Sequence, residues 1–284
     1  DAIWYANRLN NGLTQPTTFN IVSDVEMVVN DVAMHNPFTE KVFSVQEGRQ
    51  YGATPIRHNK PIIERVKPPP LVLEGNIIFK EVRVFNRPVH IRAGTVIRMY
   101  PGASLIFQSV VTVLGKLSNP VQILPAIPEK PWGVFAIYGP KASGSLVQNL
   151  HLNGGSGQVV KGVHFIAMLS VHDTSDVIFD GIILRRNKVF DDAMHIIYSK
   201  NINLKNSRIE NAYSDGLDID ISWVDISRTS VTDSGNDAVD LMSSRVTINQ
   251  SRFIGSGDKG ISVGELSTVL VLDTLLKDNQ IGLE

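Results

Sequence analysis

The chain has 284 residues, with 27 Lys and Arg against 28 Asp and Glu, a net charge of −1 and 43% hydrophobic residues. That apolar content is ample for a continuous core and excludes disorder as the default, while the absence of any block of lysines or arginines removes the electrostatic footprint of a nucleic-acid binder. No apolar run approaches the ~20 residues that cross a bilayer, and the lack of cysteine rules out disulfides, thiol nucleophiles and thiolate metal ligands.

Residues 1–70 do not repeat and end in the stiff KPPP of Lys67 to Pro70, so a boundary is expected near 70, with an N-terminal cap or small appended region before it. From 71 to 127 the chain runs through apolar strands of irregular spacing, LVLEGNIIF, VRVFNRPVHI, GTVIRMYPGASLIF, VVTVLGK and VQILPA, punctuated by Gly and Pro. The following stretch, PEKPWGVFAIYGPKASGSLVQNLHLNGGSG, is rich in Gly, Ser and Pro and predicts longer loops on one rim, placed to shape a cleft.

Beyond it the chain repeats. Residues 201–222 (NINLKNSRIENAYSDGLDIDIS), 223–244 (WVDISRTSVTDSGNDAVDLMSS) and 245–265 (RVTINQSRFIGSGDKGISVGE) superpose almost without gaps. An earlier copy starts at Asp176 and a shortened one ends at Glu284. Each copy carries three short strands of period two and no helical spacing. A period of about 22 residues with three strands per turn predicts an all-β right-handed parallel β-helix over 71–284. Its last coil, cut short at Glu284, would present unpaired strand groups, so further chain or a partner is expected over that end.

Stacking the third strands of successive coils sorts their side chains into columns. Met194, Leu217, Val239 and Ile261, and Ile196, Ile219, Leu241 and Val263, form two inward columns. His195, Asp218, Asp240 and Ser262 then form an outward column, with Asp220 one outward position further on. The preceding turn stacks Asp192, Asp215, Asp237 and Lys259. The result is an acidic patch on one outer wall. Two bare carboxylates about 5 Å apart repel by roughly 1 kcal/mol in water and by more in a sheltered cleft, so repetition alone does not favour it.

For Asp215 and Asp237, next to Gly216 and Ala238 in turns, backbone capping competes with function. Asp218, Asp220 and Asp240 lie within strands, where Ser or Thr would serve a plain solvated face better, and read as functional. His195 heads their column as a candidate base. Lys259, beside Asp258, reads first as a neutraliser of the stack and second as a base. Asp192, Tyr213, Arg185 and Glu265 are candidates for binding substrate, and Tyr198, Trp223, Trp132 and Tyr138 are further aromatic surfaces on which sugars stack.

The tandem SDGLDIDIS, GNDAVDLMSS and GDKGISVGE resembles the pectin-lyase-like β-helix superfamily, in particular the bacterial parallel β-helix repeat proteins associated with carbohydrates, over about 71–284. The same stretches are similar to three consecutive motifs of polygalacturonases, and on that resemblance Asp215 and Asp237 would be acid and base. Asn236 stands where that pattern has Asp, Lys259 where it has His, and no Arg-Ile-Lys follows. The His172–Asp173 pair resembles part of a mannuronan epimerase motif. The superfamily holds lyases, hydrolases, epimerases, esterases and inert adhesins, so the resemblance implies a fold and a polysaccharide partner rather than one reaction.

Three chemistries stay open for the patch. An acid–base pair separated by about 6.5 to 9.5 Å would hydrolyse a glycosidic bond with inversion. Asp218, Asp220 and Asp240 would hold Ca²⁺, which neutralises a uronate for elimination or epimerisation with Lys259 or His195 as base. Or the wall binds glycan or protein without catalysis, as an adhesion or assembly module. A polysaccharide partner implies a secreted, periplasmic or cell-surface location.

Overall fold

A computed structural model of the chain describes residues 69–284 and the short strands Ala33–His35 and Val42–Ser44. The chain divides into two compact units, Asp1–Arg65 and Val66–Glu284. In the first, the two short strands pair antiparallel, Ala33 opposite Ser44. The cap expected over residues 1–70 otherwise lies outside the described residues.

The second unit is a parallel β-solenoid of three nine-stranded sheets, each successive strand belonging to the next coil. The first wall runs from Leu71–Leu73 to Thr268–Leu272, the second from Asn76–Phe79 to Leu275–Lys277, and the third from Arg83–Phe85 to Ile281–Leu283. The three repeats fall on this plan: Ile202–Lys205, Arg208–Glu210 and Leu217–Asp220 make one coil, and each following coil adds one strand to every wall. The segment 128–157, expected as loops, instead supplies a coil of its own with the strands Phe135–Tyr138, Leu146–Gln148 and Leu150–Asn153. Its Gly and Ser residues lie at the corners of that coil.

Alternation builds the core. Met194, Leu217, Val239 and Ile261 pair in register and are all fully buried, as are Ile196, Ile219 and Leu241. Toward the N-terminal coils the stack becomes aromatic. Phe85 and Phe107 lie parallel with centroids 5.0 Å apart, and Phe107 meets Phe135 at 4.8 Å.

The corners are made by single residues and by hydroxyl ladders. Between the first and second walls one residue in each of the last six coils sits in the left-handed region: Asn149, Gly181, Asn206, Arg228, Gln250 and Asp273. That conformation costs a side-chain-bearing residue about 1–2 kcal/mol, least for Asn and Asp, and it turns the chain in one step. Between the third and first walls the amides of Ser199, Ser222 and Ser244 donate to the hydroxyls of Ser222, Ser244 and Ser267 in the next coil, at 3.0 to 3.2 Å. Buried backbone donors that the sheets do not reach are satisfied in this way.

Candidate functional site

The third wall carries the patch. On its outer face Ser170, His195, Asp218, Asp240 and Ser262 lie in register across five consecutive strands. The neighbouring outward column is Tyr138, His172, Ile197, Asp220 and Met242. Acidic residues from two successive repeats are therefore lateral neighbours, held by strands whose opposite faces are locked into the core.

A hairpin, Gln158–Val160 with Val163–Phe165, covers the N-terminal part of this face. Phe165 packs with Ile106, Val134 and Ala136 in a small second hydrophobic cluster outside the sheet. Its ring lies 5.8 Å from that of Tyr138 and 4.9 Å from that of His172, and His172 in turn meets the His195 ring edge-on at 5.1 Å. As a result His195 is only 4% exposed although it points outward. Tyr213, at 63% exposed, stands in the turn before Asp215. The patch is thus walled at one end by an aromatic cover and runs on along the later coils.

His195 Nε2 lies 3.4 Å from Asp220 Oδ2 and 3.5 Å from Asp218 Oδ2. These contacts are too long for strong charge-assisted hydrogen bonds. Its Nδ1 is buried without a partner, as are His172 Nε2 and Asp192 Oδ2. One donor atom from each of His195, Asp218 and Asp220 lies within 4.8 Å of the others. The set expected for a cation was Asp218, Asp220 and Asp240. Asp240, one coil beyond Asp218, is not in this group, and His195, one coil before it, is.

Burial sets the proton affinities. Asp192, buried and then flanked by the carboxyls of Asp218, Asp215, Asp191 and Asp220, is pushed up to about 10, so it carries its proton at neutral pH. Burial also pushes Asp218 up to about 7, with His195 opposing and Asp220, Asp240 and Asp215 reinforcing. Burial raises Asp215 to about 6 against the bonds it accepts from Asp237 and Asn236. His172 is lowered to about 3 by burial and by His195.

The turn column has a different task. Asp215 Oδ1 accepts the backbone amide of Asp237 at 2.7 Å and the Asn236 side-chain amide at 2.9 Å, and Asp237 Oδ1 accepts the backbone amide of Lys259 at 2.7 Å. These carboxylates continue the corner ladder made elsewhere by serine. Gly216 beside them is required by space: a Cβ there would come within 2.4 Å of Val231 Cγ1 and 2.7 Å of the Ala238 carbonyl oxygen. Lys259 ends the column, within ion-pair range of Asp258, Asp237 and Glu284.

Several sequence candidates lie elsewhere. Arg185 belongs to the second wall, where it pairs with Glu210 at 2.7 Å. Trp132 is buried and donates from Nε1 to the Asn153 carbonyl, and Trp223 sits on the first wall under Lys200 and Arg245. Glu265 is exposed in the turn after the Lys259–Val263 strand. Sequence reasoning gave no role to Phe165 or to the hairpin. The visible signal was the extra length between Asn153 and Ala167, which exceeds what one corner needs.

The three walls and their register define a right-handed parallel β-helix. Residues 167–284 match the family model described as right handed beta helix region. No curated protein matches the sequence with significance. Among solved structures, the periplasmic alginate epimerase AlgG is similar at 13% identity, with 70% of this chain and 64% of that one covered and a TM-score of 0.41. This chain thus spans less than two thirds of that protein. A putative glycosyl hydrolase from Parabacteroides merdae is similar at 10% identity, with 70% and 82% covered and a TM-score of 0.30. An alginate lyase from Paenibacillus sp. is similar at 11% identity, with 67% and 93% covered and a TM-score of 0.25. No helix among the described residues is long and apolar enough to cross a membrane.

Proposed function

We propose that the protein binds a polysaccharide on the third wall and modifies it there by proton transfer, outside the cytoplasm or at the cell surface. The observation that carries this reading is Asp218. It is half-buried, pushed up to about 7 and set 3.5 Å from His195 Nε2. A carboxyl that exchanges its proton near neutral pH serves as general acid or base, whereas an ordinary surface aspartate is fully ionised there. Asp220 and Asp240 offer acceptors for sugar hydroxyls on either side, and Tyr213 offers a ring to stack against.

The inverting pair Asp215 and Asp237 is disfavoured, because each carboxylate accepts a backbone amide of the next coil. Proton transfer by Asp218 with His195 suits elimination or epimerisation, or hydrolysis assisted by a neighbouring carboxylate. A panel of neutral and uronate polysaccharides, assayed for new reducing ends, for unsaturated uronate by ultraviolet absorbance and for altered sugar stereochemistry, separates the three. Asp218→Asn is expected to lower the rate about 10²–10⁴-fold in a protein that remains folded. Binding without turnover by the unaltered protein would leave the non-catalytic module in its place.

A second reading is favoured by the gathering of His195, Asp218 and Asp220 donors within 4.8 Å. A divalent cation held there would supply the positive charge that a uronate needs on this acidic wall. The imidazole nitrogen suits a transition metal better than Ca²⁺, which prefers all-oxygen donors. Ca²⁺ held with Asp240 in place of His195 is the oxygen-only variant of the same idea.

A further inference from the structure

We infer that the outer face of the second wall is a docking track for a linear anionic glycan, separate from the acidic third wall. Its first hollow, a cleft of about 290 Å³, is formed between the wall and the loop after Val121–Pro125, with Arg98, Lys130, Arg186 and Lys188 around a floor of Leu124, Pro125, Pro128 and Pro131. Glu129 is the one acidic residue in it, and it is engaged by Lys188 at 3.2 Å. A second hollow of about 340 Å³ lies on the later coils, lined by Arg208, Arg228 and Arg252 with Ser, Thr, Asn and Gln between them. Among the described residues, Arg98, Lys130, Arg186, Arg208, Arg228 and Arg252 make no ion pair, whereas Arg185 between the hollows is neutralised by Glu210. Arg98, Arg208 and Arg252 on the strands of this wall, with Lys130, Arg186 and Arg228 in the turns that border it, are a local excess, in a chain whose net charge is −1, that attracts polyanions.

The placement sets the shape of the ligand. Arg98 and Arg252 are six strand steps apart along one continuous sheet, or ~29 Å at about 4.8 Å per step. The track therefore fits an extended chain rather than a compact anion. The first hollow lies toward the third wall and the second toward the first, so the track crosses the face diagonally. His151 between them is lowered by burial and by Arg185 and Arg208, in keeping with a positive face. No Phe, Tyr or Trp points outward from this wall between Arg98 and Arg252. A single-stranded nucleic acid would lack the stacking platforms it uses. Guanidinium groups interleaved with hydroxyls and amides suit carboxylate- or sulfate-bearing sugars, whose charged groups alternate with hydroxyls.

Binding of the intact chain to polygalacturonate, heparin, dextran and a single-stranded oligonucleotide tests this by titration at low and physiological salt. One or both anionic glycans are expected to bind, more weakly as salt rises, and dextran not to bind. The arm that succeeds distinguishes carboxylate from sulfate. The double variants Arg98→Ala/Arg186→Ala and Arg208→Ala/Arg252→Ala should each weaken that binding by about tenfold, as expected for two exposed charge contacts, with melting temperature unchanged. Equal binding by both double variants, equal binding of dextran, or tighter binding of the oligonucleotide than of either glycan would overturn the inference. Turnover plays no part in the measurement, so failure of the third-wall chemistry and failure of this track are read separately.

Discussion

The backbone amide of Asp237 donates to Oδ1 of Asp215 at 2.7 Å, and one coil later the amide of Lys259 donates to Oδ1 of Asp237 at the same distance. Both carboxylates, candidates for acid and base in the sequence, brace the corner between the second and third walls. Asp215→Ala leaves a buried amide without an acceptor and should cost about 1–3 kcal/mol, read as a lowered urea midpoint. Asp218→Ala, half-buried on the same wall without such a bond, should lower the midpoint much less. Equal effects would mean the ladder does not brace the corner.

The raised carboxyls give the protein an inverted pH dependence. Asp192 at about 10 and Asp218 at about 7 hold more protons when folded than when unfolded, above the ordinary carboxylate value. Each therefore contributes stability that is present at low pH and lost as pH rises through its folded value. His172, lowered to about 3, acts oppositely, losing stability as pH falls below its ordinary 6.5. Between pH 6.5 and 8 only the carboxyls act, so the melting temperature should rise on acidification through that window. Asp192→Asn should flatten the slope by about 1.4 kcal/mol per pH unit. A slope unchanged in the variant would show that Asp192 is ionised in the folded protein.

If the donor triad holds a cation, Zn²⁺ or Mn²⁺ should raise the melting temperature more than Ca²⁺ at equal concentration. Saturation at a hundredfold excess over the dissociation constant corresponds to about 2.7 kcal/mol. His195→Gln should remove the shift while Asp240→Asn retains it. The reverse pattern, with Ca²⁺ preferred and Asp240 essential, would return the site to the all-oxygen set.

Phe165 covers His172 from outside the sheet. Phe165→Ala should cost about 3–5 kcal/mol and let water reach the imidazole, so that His172 titrates nearer its ordinary value in an NMR titration. A His172 resonance that stays neutral down to about pH 3 in the variant would place the cause of its shift elsewhere.

Much of the site was legible because period and alternation are one-dimensional signals. Once the three repeats are aligned, the column His195, Asp218, Asp240 follows from strand geometry, and the structure reproduces it in register. Three features were not legible. The 128–157 segment reads as loop because its strands, as short as those of the repeats, stand among Gly, Ser and Pro and match no neighbouring copy at the ~22-residue period. Arg185 reads as a neighbour of the patch because it is near Asp192 in sequence, yet a corner of the coil turns it onto another wall. His195 reads as exposed because nothing local announces a hairpin folding over from 158–165.

The amino-acid sequence by itself determined the coil and which residues share a column, since those follow from the distance along the chain between like residues. Only the tertiary structure decided which carboxyls accept a backbone amide of the next coil and which stand without one. That distinction depends on burial and on a partner one coil away, about 22 residues distant in sequence and one strand spacing in space.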